Sequence, residues 1–171
     1  MPITLRAIRL LTIVIWVGGL IFFAFVVAPV AFSVLPSTHE AGLVVRGTLT
    51  TLNTMGQICG LLFALSTLVL CSRAGTTGRK FLLAQALLVF LMMAATAVVQ
   101  LRIIPAMERD RIAAGGEIDA APSDNPARID FNRLHALSEK VEGAVLLLGF
   151  AVVILMAAEG SKPQPEAPLT H

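Results

Sequence analysis

Long uncharged stretches alternate with short polar segments along the chain. Residues 10–38, 47–72 and 81–101 contain no Asp, Glu, Lys or Arg, and each reaches the roughly 20 residues that a membrane-spanning helix needs. A fourth uncharged stretch, 143–158, is shorter than that. Only helices or closed barrels satisfy the backbone in lipid, and these stretches lack the strict alternation of barrel strands. The pattern therefore predicts helices.

Cap and turn signals set the boundaries of the predicted helices. Ser37-Thr38-His39-Glu40 fits a capping box, with Ser37 as the N-cap of the second helix. Asn125 followed by Pro126 starts the fourth helix, which must extend upstream of its short apolar stretch to cross a bilayer. We therefore predict one four-helix transmembrane domain over residues 1–160, with helices at about 8–35, 38–72, 80–111 and 126–158, and a disordered tail over 161–171.

Composition agrees with a membrane protein. Hydrophobic residues make up 56% of the chain and charged residues only 14%, whereas soluble domains carry about 25% charged residues. The formal net charge of +2, without a dense basic patch, does not favour nucleic-acid binding. The predicted fold class is all-α, an integral membrane four-helix bundle, with the lipid bilayer as its main partner.

The basic residues bear on topology. Arg6 and Arg9 precede an apolar run, as in a signal peptide, but the run is longer than the about 7–15 residues of a signal core, so we expect it to remain as an anchor. Four spans put both termini on one side, together with the short basic turn 73–80. Total Lys and Arg counts hardly differ between the two sides of the membrane. The short basic turn therefore decides the predicted orientation, because short cytoplasmic loops are rich in Lys and Arg. We predict a multi-pass protein of the plasma membrane, a bacterial inner membrane, with both termini cytoplasmic.

Small and amide residues form stripes on the central helices. The second helix presents one such face, and the third presents another with Gln85, Met92, Thr96 and Gln100. The favoured interpretation is that the stripes meet inside the bundle, because small residues allow close approach and amides hydrogen-bond across helices. The alternative is a polar path for a solute. The predicted packing positions are Gly18, Gly19, Gly56, Gly60, Asn53 and Gln57.

Ionisable residues mark a candidate polar site on the fourth helix. Asn132, His135, Glu139 and Glu142 share one helical face. Glu142 is expected deepest in the membrane, where an ionisable group is a functional candidate and needs a partner. Arg102 or Arg109 of the third helix is the expected partner. A structural ion pair or a solvated helix end competes with a metal or proton site at these residues.

No enzyme signature accompanies this site. Walker, HExxH, CxxC and GxSxG patterns do not occur in the sequence. No histidine falls in the uncharged helix cores, which disfavours haem held by two histidines. We therefore predict a protein that is not an enzyme and has no cofactor, and the residues leave metal binding open.

Several motifs resemble a known family. Trp16-Val-Gly18-Gly19, Pro105 with Arg109, and Phe131-Asn-Arg-Leu134-His135-Ala-Leu-Ser138 resemble the family of human transmembrane protein 205, catalogued in bacteria as domain of unknown function 4149. The resemblance implies a four-pass module without established catalytic activity. A human member's association with resistance to platinum drugs implies handling of metal-containing compounds. The resemblance to this family also adds Ser138 to the candidate polar site. The site then comprises His135, Ser138, Glu139, Glu142, Arg102 and Arg109.

These observations lead to three hypotheses of function. The first is a multipass membrane protein that handles or transports a small solute or metal compound at this polar site. The alternative is a structural or accessory subunit whose small-residue faces, such as Gly56 and Gly60, bind another membrane protein or a second copy of the chain. A redox enzyme comes third, since it requires a cofactor.

Overall fold

The computed structural model describes residues 2–160, and within them it is an all-helical bundle. Within this described part, four segments are long and apolar enough to cross a membrane: Ile3–Val34, Thr38–Cys71, Gly78–Ala113 and Pro126–Glu159. We call them the first to fourth spans. The predicted all-α four-helix bundle is thus confirmed, because each long apolar run forms one continuous helical rod. The predicted tail, 161–171, lies outside the described residues.

The helices extend slightly beyond the expected bounds. The first begins at Pro2 rather than near residue 8, and the third begins at Thr76 rather than near residue 80. The α-helices are α1 (Pro2–Phe22), α2 (Ala28–Val34), α3 (Thr38–Cys71), α4 (Thr76–Val98), α5 (Ile104–Ala113) and α6 (Pro126–Gly160), with a short 3-10 turn at Ile118–Ala120. We call the end of the bundle that holds the connections 35–37 and 114–125 the loop end, and the opposite end the terminal end.

In the described structure, the first and third spans are each interrupted by one π turn in the half nearer the loop end. Phe23–Val27 joins α1 to α2, and Val99–Ile103 joins α4 to α5. A proline follows each turn, Pro29 in α2 and Pro105 in α5. Proline cannot donate a backbone hydrogen bond and its ring clashes with the preceding turn, and a π turn relieves both problems by adding a residue. Because of the added residue, the side chains after each turn point in directions that differ from those of an uninterrupted α-helix.

Side-chain caps begin the second and fourth spans as predicted. The Ser37 hydroxyl accepts a hydrogen bond of 3.1 Å from the backbone N–H of Glu40. The Asn125 side chain accepts one of 2.9 Å from the N–H of Ala127, at the first turn of α6. These bonds satisfy N–H groups that would otherwise lack partners at a helix start. Both predicted cap positions are confirmed.

The centre of the bundle is built around Trp16, which is only 2% exposed. Its indole lies against Gly56 and Gly60 of the second span, and a Cβ on Gly60 would stand 3.0 Å from the ring and 2.6 Å from Met93 Cγ. On the fourth span, a Cβ on Gly149 would stand 2.5 Å from Val17 Cγ2. These glycines let the spans approach within the thickness of one side chain. The core is therefore close-packed at mid-depth.

One predicted packing position is wrong. Among the described residues, no atom beyond its own stretch of helix lies within 4 Å of a Cβ placed on Gly18, whereas one on Gly19 would stand 2.6 Å from Leu52 Cδ1. Neighbouring helical residues point about 100° apart, so adjacent glycines cannot both face the second span. Gly18 lies on the open face of the bundle.

Candidate functional site: a cavity at the loop end

A cavity of about 630 Å³ lies at the loop end of the bundle. All four spans and the 114–125 connection contribute to its lining, most of which is apolar. The first π turn contributes Phe23 to the lining, and the residue that follows the second π turn, Ile104, lines the cavity from the third span. A volume of this size is typical of pockets that enclose a drug-sized molecule. The bundle is thus open at this end, in contrast to its close-packed centre.

The fourth span supplies a polar wall to this cavity. Asn132, His135, Ser138, Glu139 and Glu142 all line it. His135 stacks on Phe131, with ring centroids 6.3 Å apart and an interplanar angle of 14°. Its Nε2 lies 3.3 Å from Glu139 Oε1, and the two side chains are 50% and 68% exposed, so they form the rim. The structure therefore brings four of the six candidate polar residues into one cavity.

Glu142 lies deeper than the rim residues. One carboxyl oxygen accepts a hydrogen bond of 3.1 Å from Nδ2 of Asn53 on the second span. Asn53 is fully buried. The other carboxyl oxygen, Oε2, and Oδ1 of Asn53 are buried without a hydrogen-bond partner among the described residues. Two unsatisfied acceptors at one buried contact are costly, and membrane proteins keep such groups chiefly for function.

A charged triad forms the wall on the second and third spans. Glu108 accepts hydrogen bonds from Arg111 Nε and Nη2, at 2.9 Å and 2.7 Å, and also from Arg46. Arg111 donates further to the carbonyl oxygen of Gly116, at 2.7 Å. Forked arginine–carboxylate pairs of this kind are among the stronger polar contacts. The triad therefore ties the second span, the third span and the 114–125 connection together beside the cavity.

The 114–125 connection covers part of the cavity. Asp119 accepts a hydrogen bond of 2.5 Å from the Thr38 hydroxyl, and its carboxylate lies 3.9 Å from Arg128. Arg128 also donates to the carbonyl oxygen of Ala121, at 2.5 Å. Gly115 and Gly116 adopt φ values of +95° and +101°, which favour glycine and let the chain turn sharply after α5. The connection is thereby fixed to the starts of α3 and α6.

Arg102 and Arg109 do not belong to this site, and the predicted ion pair with Glu142 is not found. Both arginines are exposed and absent from the cavity lining. Glu142 contacts Asn53 instead. On a regular helical count, Arg102 and Arg109 already point about 100° or more away from the face that carries Gln85. The π turn at Val99–Ile103 then turns Glu108 and Arg111 toward the cavity. Arg46, Glu108 and Arg111, which no pattern in the sequence indicated, line the cavity on the second and third spans.

A second polar cluster lies at the terminal end. Arg9 is 1% exposed and donates to Gln85 Oε1, while its Nη1 lies 3.8 Å from Glu159 Oε2. Gln85 Nε2 donates to Glu159 at 3.3 Å. The guanidinium carbon is 4.9 Å from the centroid of the Phe63 ring, a cation–π distance. One residue from each span therefore meets here, and the cluster fills the end of the bundle opposite the cavity.

The cavity does not present a recognisable metal centre. His39 lines the cavity together with His135, as a four-span topology allows. Among the described residues, however, no group of three or more His, Cys, Asp or Glu side chains could hold a metal ion. The lining suits organic recognition, since it combines apolar surface with a few convergent polar groups.

The fold and this cavity define a multipass membrane protein built as a four-helix bundle. Residues 11–111 match the model of a family described as Domain of unknown function (DUF4149). The match spans more than half of the chain, so the chain belongs to this family. Comparisons with curated proteins and with solved structures find no match. The matched residues end before α6, and the resemblance to transmembrane protein 205 stays a prediction.

Proposed function

We propose that this protein binds a small amphipathic solute in the loop-end cavity and moves it between the bilayer and one aqueous face. The observation that carries the proposal is the position of Glu142 on the wall of a largely apolar cavity of about 630 Å³, with one buried carboxyl oxygen that has no hydrogen-bond partner in the part of the chain that the structure describes. Such a site offers hydrocarbon surface to one part of a ligand and hydrogen-bond acceptors to another.

The apolar lining matches the body of such a solute. Phe23, Phe32 and Leu49 contribute from the first and second spans, and Met107 and Leu146 contribute from the third and fourth. Burial of apolar surface supplies about 25 cal/mol per Å² relative to water, so the hydrocarbon part of the ligand favours the cavity over the aqueous phase. It gives no comparable preference over lipid, which is equally apolar. The polar wall then selects among ligands by their head groups.

The arrangement of α2 supports entry from the lipid. α1 packs against both α3 and α6, whereas the main packing partner of α2 is α3. Phe32 of α2 and Phe131 of α6 nevertheless line the same cavity. A gap between these two helices would connect the cavity with the bilayer. The Arg9 cluster fills the terminal end, so in this conformation the cavity opens toward the loop end, which is compatible with one state of a transporter.

A binding experiment with a matched pair of variants tests this proposal. The purified protein in phospholipid nanodiscs is titrated with Nile red, a neutral amphipathic dye, and empty nanodiscs are subtracted. Gly143→Leu introduces a side chain into the cavity, and Gly18→Leu introduces the same side chain on the open face. We expect saturable binding to the wild type and to Gly18→Leu, with at least tenfold weaker binding to Gly143→Leu. Equal binding to the two variants, or no saturable binding, overturns the proposal.

Membrane orientation belongs to the same proposal. We place both termini in the cytoplasm of a bacterium, and the cavity then lies at the outer face of the inner membrane. The short basic turn at Arg73, Arg79 and Lys80 supports this orientation. Labelling of single cysteines at Arg79 and Asp124 in intact cells with a membrane-impermeant maleimide tests it, in a background with Cys59 and Cys71 replaced by serine. Labelling at position 79 instead of 124 reverses the orientation.

The accessory-subunit hypothesis relied on a surface formed by Gly56 and Gly60, and this surface is inside the bundle. Gly56 and Gly60 lie against Trp16 and Met93 inside the bundle, so they are not available to a partner helix. A lipid-facing groove lined by Gly19, Gly47 and Thr51 remains between the first and second spans. Gly47→Leu would fill that groove, and loss of a copurifying membrane protein in this variant would favour the accessory role.

A further inference from the structure

The charged groups around the cavity are unequally neutralised. Both carboxylate oxygens of Glu108 are engaged by Arg46 and Arg111, and Asp119 is held by Thr38 and Arg128. The fourth-span wall is different. Among the contacts that the structure describes, Glu139 is paired only with His135 and Glu142 only with Asn53. Negative charge therefore remains uncompensated on the wall formed by α6.

The unsatisfied atoms at the deep end are acceptors. Within residues 2–160, no donor reaches Oε2 of Glu142 or Oδ1 of Asn53, although both atoms are buried. A ligand that satisfies them must bring N–H or O–H groups, and a positively charged ligand would also neutralise the carboxylate. An anionic head group would instead face two carboxylates, Glu142 and Glu139, on the same wall. The wall thus discriminates by charge.

Aromatic rings complete a surface that suits a cation. Phe23, Phe32 and Phe131 line the cavity, and Phe131 is held in place by its stacking on His135. The faces of aromatic rings carry partial negative charge and attract ammonium groups within about 6 Å. The same rings pack against hydrocarbon, so one lining serves both halves of an amphipathic cation.

We propose that the ligand class of this cavity is an amphipathic cation, whose protonated amine binds at Glu142 and whose hydrocarbon body lies against the aromatic wall. This inference rests on the function proposed above and narrows its ligand. The amine would donate to the free oxygen of Glu142, and its approach would pass the rim residues His135 and Glu139.

The experiment compares head groups on one hydrocarbon chain. Dodecylamine, dodecanol and dodecyl sulfate each displace Nile red from the wild-type protein in zwitterionic nanodiscs, with displacement referred to the lipid-bound concentration of each compound. We expect dodecylamine to compete at least tenfold better than dodecanol, a difference of about 1.4 kcal/mol, and dodecyl sulfate to be the weakest of the three. Equal competition by dodecylamine and dodecanol overturns the inference while the proposed function stands.

Variants locate the preference on Glu142. Glu142→Gln keeps an acceptor for Asn53 and removes the charge, so the ratio between dodecylamine and dodecanol should fall to within about twofold of one. Glu40→Gln removes an exposed carboxylate outside the cavity lining and should keep the wild-type ratio. A tenfold ratio that survives Glu142→Gln overturns the assignment. If Nile red does not bind at all, the proposed function fails and not only the ligand class. If Glu142→Gln does not fold, the competition of the three compounds in the wild-type protein still tests the ligand class.

Discussion

Nδ2 of Asn53 lies 3.1 Å from Oε1 of Glu142, and this hydrogen bond joins the second span to the fourth at the inner end of the cavity. Asn53 is fully buried, so it has no access to water that could replace the bond. The pair thus has two roles. It holds two spans together, and it fixes the orientation of the carboxyl group that we assign to ligand binding.

The first prediction concerns the strength of this bond. Interhelical hydrogen bonds in membrane proteins contribute about 0.6 kcal/mol on average and up to about 1.7 kcal/mol. We expect a double-mutant cycle of Asn53→Ala and Glu142→Ala to give a coupling energy in that range, measured as the free energy of unfolding in mixed micelles. Asn53→Ala paired with Glu139→Ala is the control, and its coupling should be near zero. Equal couplings would contradict the contact.

The second prediction uses the contact between Trp16 and Gly56. A Cβ on Gly56 would overlap the indole ring, which is fully buried and rigid. Gly56→Ala should therefore lower the melting temperature, because overpacking costs about 1–3 kcal/mol. Gly18→Ala should raise it slightly, since alanine is favoured over glycine in helices by up to about 1 kcal/mol and the site is open.

The fluorescence of Trp16 provides a local measurement for the same pair of variants. It is the single tryptophan of the chain, so its emission reports on this contact alone. We expect a shifted emission maximum in Gly56→Ala and an unchanged one in Gly18→Ala. An unchanged melting temperature and emission in Gly56→Ala would refute the packing of the first span on the second.

The third prediction concerns Arg9 and Glu159 at the terminal end. Arg9 is 1% exposed, whereas Glu159 is 23% exposed on its side chain. Glu159→Leu leaves a buried positive charge without its carboxylate, and Arg9→Leu leaves a carboxylate that water can reach. Breaking a fully buried pair costs about 3–5 kcal/mol, so we expect about 1–3 kcal/mol for Glu159→Leu and less for Arg9→Leu.

A double variant and a matched control complete that experiment. Arg9→Leu with Glu159→Leu should recover part of the stability lost in Glu159→Leu, since an apolar pair can replace a buried ionic one. Arg6→Leu removes an exposed arginine one turn away and should have little effect. A larger loss for Arg6→Leu than for Arg9→Leu, in chemical unfolding, would show that the cluster does not stabilise the bundle.

The sequence predicts the bundle better than it predicts the site. The length of an uncharged stretch depends only on neighbouring residues, and so do the caps at Ser37 and Asn125. The spans and helix starts could therefore be predicted from the sequence. The shared face of His135, Glu139 and Glu142 is also local, because α6 is a regular helix throughout. These three residues accordingly meet in one cavity.

Contacts between spans could not be read in the same way. The partner of Glu142 depends on how the second span is rotated, and Asn53 was expected to meet the third span rather than the fourth. Gln57 does reach the third span, where its Nε2 donates to Met93 O at 2.8 Å. The π turn at Val99–Ile103 further changes which residues of the third span face inward, so Glu108 and Arg111 replace the expected arginines.

The last prediction tests whether Glu108 controls the charge of the cavity. Glu108 offsets one of the two positive charges of Arg46 and Arg111, and both arginines line the cavity. Glu108→Gln adds one net positive charge there without changing the side-chain shape. Coulomb energies in a partly buried site are large enough to alter competition roughly threefold or more. We expect dodecylamine to compete less well in this variant and dodecyl sulfate to compete better. Glu117→Gln, an exposed change outside the lining, should leave both competitors unaffected. Identical rankings and affinities in all three proteins would mean that the triad lies too far from the bound head group to influence it.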